Sequence, residues 1–148
     1  MKKLAVACLT SVLLWGCSAH PVAWEQSNVA TIANIAVSLK STLWLNKMPT
    51  VEEETDQVLH GALYLSSDQS MPADLDAEAL IIKQGDNTWQ IDAKQLEVRT
   101  QSENRWEVVF AEPVGVNDRA RVDVALRLSE GAKTQWLIEK NVKIDVVY

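Results

Sequence analysis

The sequence predicts an all-β fold, an antiparallel immunoglobulin-like β-sandwich of about 7–9 strands. Three observations carry that prediction. Apolar and polar residues alternate with period two along most of the chain beyond residue 35. The alternating runs are short and are separated by turn-rich segments at close spacing. No long segment keeps a helical period, and no internal repeat is present. A small β-barrel would satisfy the same pattern and is the alternative fold. At 148 residues, with 47% hydrophobic and 23% charged residues, the chain is sized and composed for one folded domain. Its net charge of −6 argues against a nucleic-acid partner, because polyanion binding draws on clustered Lys and Arg.

Three segments are expected: a leader over 1–16, a tether over 17–28 and the sandwich over 29–148. Met1-Lys2-Lys3 is a basic start, and residues 4–15 (LAVACLTSVLLW) form an uncharged apolar run. That run is too short to span a bilayer core of ~30 Å, which takes about twenty residues, so it reads as a removable export signal.

The motif Leu14-Trp15-Gly16-Cys17 resembles the lipobox of bacterial lipoproteins, with Leu at −3, a small residue at −1 and Cys at +1. Trp15 departs from it, standing where that family usually has a small residue. The resemblance implies that residues 1–16 are removed and that Cys17 carries a covalent lipid, with fatty chains such as palmitate. Ser18 at +2, in place of Asp, implies the outer membrane, facing the periplasm. The outer leaflet of the inner membrane and a soluble periplasmic form are the alternatives. Two or three acyl chains hold a protein on a membrane stably, whereas one does so only marginally.

Cys8 leaves with the leader and Cys17 is lipidated, so the sandwich is expected to hold no thiol. Loss of Lys2 and Lys3 leaves 12 basic against 20 acidic residues, a net −8 that gives no attraction to anionic lipid. Residues 18–28 are mixed and polar and read as the tether, with Trp24 either docked on the domain or near the membrane interface.

Over 29–46 two periods compete. Val29, Ile32, Ala33, Ala36 and Leu39 suit a helix face, yet Ile35, Val37, Leu39, Leu43 and Leu45 alternate as a strand does. The β-branched content favours a strand over 35–46 and leaves a short helix near 28–35 open. Pro49 ends the element, and 51–56 (VEEETD) reads as a solvated acidic loop. Residues 57–66 alternate, with Leu59, Gly61, Leu63 and Leu65 on one side and Val58, His60, Ala62 and Tyr64 on the other. Strands over 79–84 and 88–92 flank Gly85-Asp86-Asn87, a hairpin signal. A strand over 95–101 turns Leu96 and Val98 inward, and one over 105–111 does the same with Trp106, Val108 and Phe110. Over 119–128, Val122, Val124, Leu126 and Leu128 share the inner side. In the last run, 134–147, Trp136, Ile138, Val142, Ile144 and Val146 are read on one face, interrupted by a bulge or kink at Lys140-Asn141.

The chemistry that remains is sparse. The only histidines are His20 and His60, and no G-x-S-x-G elbow exists, so a Ser-His-Asp enzyme is not expected and neither is any other catalytic group. Copper would have to use His20, His60, Met48 and Met71, which are singletons rather than a tight soft-ligand cluster. Calcium would have to use the acidic runs at 52–56 or 68–78, which lack the spacing and the glycine of an EF-hand loop. No cofactor or metal is therefore expected. Arg119, Arg121 and Arg127 share a parity, which offers a basic stripe interrupted by Asp123. Trp89, Trp106 and Trp136 fall in the apolar phase and are expected in the core, whereas Trp44 lies out of phase with Leu43 and Leu45, as either a cap on the sandwich edge or an exposed binding aromatic.

The candidate binding residues are thus Trp44, Met48, His60 and Arg121. The expected function is a non-enzymatic, lipid-anchored periplasmic accessory domain that binds another envelope protein. A glycan or small-ligand binder using exposed aromatics is the second reading, and a periplasmic copper or calcium binder the third.

Overall fold

The computed structural model describes residues 22–47 and 57–148, which hold ten β-strands and a single 3-10 turn. Period-two alternation in sequence becomes alternating burial, because successive side chains leave a strand on opposite faces. In β2 (Ile35–Asn46), Val37, Leu39, Leu43 and Leu45 are buried while Lys40, Thr42 and Asn46 are exposed. β2 pairs with β3 (Leu59–Ser66), β3 with β7 (Arg105–Glu112), and β7 with β6 (Glu97–Ser102), all antiparallel. The second sheet runs β5 (Asn87–Asp92), β4 (Leu75–Gln84), β8 (Val122–Glu130), β9 (Lys133–Val142), again antiparallel.

With β2 to β9 taken as strands A, B, C, C′, D, E, F and G, the order is ABED against C′CFG. That is the immunoglobulin arrangement. The sheets remain two open layers and do not close into a barrel. Between them lie Leu39, Leu43, Leu63, Leu65, Leu80, Ile82, Leu126, Leu128 and Leu137, with Trp89 and Trp106 packed at the margin. This aliphatic core stands where many such domains place a disulfide. Gly61 of β3 faces inward between Leu43 and Phe110, and a Cβ there would collide with the Phe110 ring. Val98 has the inward phase of its partner Val108 but stays 38% exposed, since β6 is an edge strand.

The far edge of β2 is shared by two strands from opposite ends of the chain. β1 (Val29–Ile32) pairs antiparallel with its first part, from Val29 opposite Ser38 to Ile32 opposite Ile35. β10 (Ile144–Val147) pairs parallel with its last part, from Ile144 opposite Leu43 to Val147 opposite Asn46. The helix left open over 28–35 is replaced by a hairpin whose turn is Ala33-Asn34, with φ of 51° and 63°. Positive φ at two successive residues gives the twist that matches paired strands.

Between β1 and β10 the ladder has a gap, and two groups fill it. Leu39 N donates to Asn28 O at 2.8 Å, and Ser41 N donates to the Glu139 Oε2 of β9 at 2.8 Å. Burial raises the Glu139 carboxyl above its ordinary range, and hydrogen bonding from Ser41 works against that rise.

β9 continues into β10 by crossing from the second sheet to the first at Asn141, whose φ is 58°. The Asn141 carbonyl accepts from Arg121 Nη1 at 3.0 Å, and its N–H donates to Asp123 Oδ1 at 3.0 Å. The interruption expected at Lys140-Asn141 is this corner. It also corrects the face assignment of the last run. Val122 opposes Val142 and Val124 opposes Glu139, so β9 advances three residues where β8 advances two. The extra residue reverses parity. Leu137, fully buried in the core, points inward together with Val142 and Ile144, while Trp136 and Ile138 lie on the outer face.

That outer face is covered by the chain itself. Residues 22–28, expected as tether, fold onto the sandwich. Ser27 O accepts from Ile138 N at 3.0 Å, Gln135 Nε2 donates to Gln26 Oε1 at 2.9 Å, and the Trp24 ring lies 5.2 Å from Lys83 Nζ. Ala125 and Ile138 are thereby buried at 0% and 2% exposure, although both point away from the main core.

Candidate functional site

The outer face of the first sheet carries a different surface. Trp44 of β2 stands directly opposite His60 of β3, and their rings stack with centroids 5.5 Å apart and planes within 9° of parallel. Both side chains point outward because their neighbours Leu43, Leu45, Leu59 and Gly61 take the inner positions. Each is half-buried, and Lys40, Thr42, Asn46 and Ala111 beside them are exposed.

Strand register lays the face out in rows. The first is Asp145, Trp44, His60 and Ala111; the second is Thr42, Ala62, Val109 and Glu97; the third is Lys40, Tyr64, Glu107 and Arg99. Trp44, His60, Ala62, Val109 and Ala111 therefore form a continuous apolar and aromatic strip, bordered by charge. Along that border Arg105 lies over the Tyr64 ring at 5.6 Å, and Gln101 Nε2 donates to Glu107 Oε2 at 2.9 Å. Arg99 grips Glu97 with Nε and Nη2 at 3.1 and 3.2 Å, which holds the Glu97 carboxyl below its ordinary range. An aromatic centre with a charged, solvated rim is the anatomy of a protein-binding patch.

The structure brings Trp44 and His60 together and places Arg121 elsewhere. Arg121 precedes β8 in the second sheet, where its guanidinium holds the Asn141 corner. Arg127 lies 3.2 Å from Glu78, so the basic stripe read at 119–127 is divided between a fold contact and an ion pair. Met48 and Cys17 lie outside the described residues, as does the acidic run at 51–56. Met71 is 7% exposed and belongs to the core. Among the described residues no group of three His, Cys, Asp or Glu is placed to hold a metal ion, and no helix is long and apolar enough to cross a membrane.

Sequence reading found both stacked rings individually, Trp44 by its phase and His60 by its side of the strand. It missed Asp145, Val109 and Ala111, because only register reveals which residues of three other strands lie beside that pair. A cleft of about 680 Å³ opens elsewhere, between the β1–β2 and β8–β9 turns. It is lined mainly by polar groups, including one acid, Glu130, and one base, Lys133, with no aromatic ring.

No known protein family matches the chain, and no curated protein matches it.

Proposed function

We propose that this chain is a non-enzymatic accessory domain of the bacterial envelope, anchored in the outer membrane by lipid on Cys17 and binding another envelope protein. The strip around Trp44 and His60 is the binding surface in this reading. What supports it is the aromatic pair itself: Trp44 and His60 stack on the outer face of the first sheet and are left half-exposed, with a rim of charged side chains around them. A half-exposed Trp in a sheet face is the residue type most enriched at binding hot spots. The parallel stack also occupies one face of the Trp44 ring with His60, which leaves less ring surface for a stacking sugar.

A photo-crosslinking amino acid at Thr42, exposed at the border of the strip beside Trp44, tests this in cells. The expected result is one discrete adduct that disappears when Trp44→Ala is added, with the melting temperature of the variant little changed. The same crosslinker at Gln90, on the other sheet, gives no such adduct. Absence of any adduct at position 42, or an adduct indifferent to Trp44→Ala, overturns the assignment of the surface.

A further inference from the structure

We propose, resting on the Cys17 anchor proposed above, that the strap-bearing face of the second sheet lies against the lipid surface. The Trp44–His60 face is then held away from the bilayer.

The inference follows from where the described chain starts and how few residues precede it. Residues 22–28 are fastened to the second sheet from Ile138 of β9 across to Lys83 of β4. Trp24 N donates to Val22 O at 3.0 Å, so the chain is already turned on that face by Val22. Only residues 18–21 separate it from Cys17. Five peptide steps reach at most about 18 Å. Resting the other sheet on lipid would take the anchor chain around the β5 edge, the nearer one, and across both layers. With strands ~4.8 Å apart and sheets ~10 Å apart, plus side chains on each outer face, that path is roughly 25 Å. The anchor is too short for it.

The surface that results is suited to lying at a headgroup layer without being drawn there by charge. Trp24 is half-buried, with an apolar ring body and a polar N–H, the side-chain type enriched at membrane–water boundaries. The mature chain is acidic, so the orientation is set by tether length and not by attraction to anionic lipid. A partner reached by the Trp44–His60 strip then stands on the side of the domain facing away from the anchoring membrane.

The acylated, full-length mature protein reconstituted in phosphatidylcholine vesicles provides the test. Its body has no thiol of its own, so single Cys variants can carry a fluorophore at Gln90→Cys or at Thr42→Cys. Gln90 is exposed and opposite Ile81 on the outer side of the second sheet, while Thr42 is exposed beside Trp44 on the first. With a nitroxide quencher confined to lipid headgroups, the label at position 90 should lose most of its emission and the label at 42 should keep nearly all of it. Equal loss at both, or greater loss at 42, with Cys17 acylation verified by mass spectrometry, overturns this orientation and leaves the anchor intact. An unacylated Cys17 overturns the anchor and this proposal with it. A long flexible Gly/Ser insert after Ser18 should erase the difference between the two labels. Persistence of the difference would mean that the face itself binds lipid and that tether length is not the cause.

Discussion

Glu139 is the residue whose replacement tests the handover between β1 and β10 most directly. Its carboxylate accepts the Ser41 N–H, one of the two β2 backbone donors, with that of Leu39, that lie between the reach of β1 at Ser38 and the start of β10 at Leu43. Glu139→Leu removes the acceptor and fills its space with a side chain that cannot hydrogen-bond. A hydrogen bond to a charged group contributes about 1.5–3 kcal/mol, and an orphaned buried donor costs about 1–3 kcal/mol. These are two views of one loss, and relief of the carboxylate's own burial offsets part of it. A net destabilisation of about 2 kcal/mol is expected. With an unfolding entropy of about 2.1 cal/mol/K per residue over a domain of this size, that lowers Tm by about 8 °C.

Glu139→Gln keeps an oxygen at the same reach without the charge, and should stay within about 1 kcal/mol of the parent at neutral pH. The pH dependence separates the two further. Burial raises the folded-state pKa of Glu139 above its ordinary value of 4.5, so the folded protein keeps a proton that the unfolded chain has released. Stability therefore falls as pH rises through that window, and the full cost is present above it. The advantage of Glu139→Gln over the parent should grow from pH 4 to pH 7. Urea unfolding followed by tryptophan fluorescence reads both quantities. A Leu variant as stable as the Gln variant, or a parent-to-Gln difference that shrinks with rising pH, would refute the reasoning.

Other substitutions follow from local geometry. Gly61→Ala drives a methyl into the Phe110 ring and should cost about 1–3 kcal/mol by overpacking, measured in the same unfolding assay. Ala33→Asn with Asn34→Gly gives the β1–β2 turn the residues that positive φ favours, and should raise stability by about 1 kcal/mol in calorimetry. Lys47, 3.0 Å from Asp118, holds that carboxyl below its ordinary range. The stability this pair adds is present above the ordinary carboxylate pKa and is lost as pH falls through the lowered one. Lys47→Ala should therefore soften the loss of stability that the parent undergoes on acidification below about pH 4.

Much of the sandwich was legible because burial and alternation coincide in strands such as β2, β3 and β8, whose inward positions are buried. The last run misled for two physical reasons. A bulge at Lys140-Asn141 reverses parity partway along, and Trp136-Leu137-Ile138 is apolar on both faces because Trp24 and its neighbours cover the outer one. A two-sided apolar stretch carries no phase. Leu75 to Glu78 also extends β4 beyond the strand read from residue 79, where a register shift between Ala77 and Ala79 blurs the alternation. At the candidate site, Trp44 and His60 were visible one at a time, but their stacking depends on a register fixed by Leu43, Gly61 and Phe110 beneath them. The role of Glu139 left no trace in local sequence, since its partner is 98 residues away.

The arrangement along β2 also bears on the order in which the polypeptide folds. Synthesis delivers β2 early, yet half of one rail stays bare until β10 has been made, eight strands later. Closing that rail joins segments far apart in sequence, so it belongs to the slow, late steps of folding.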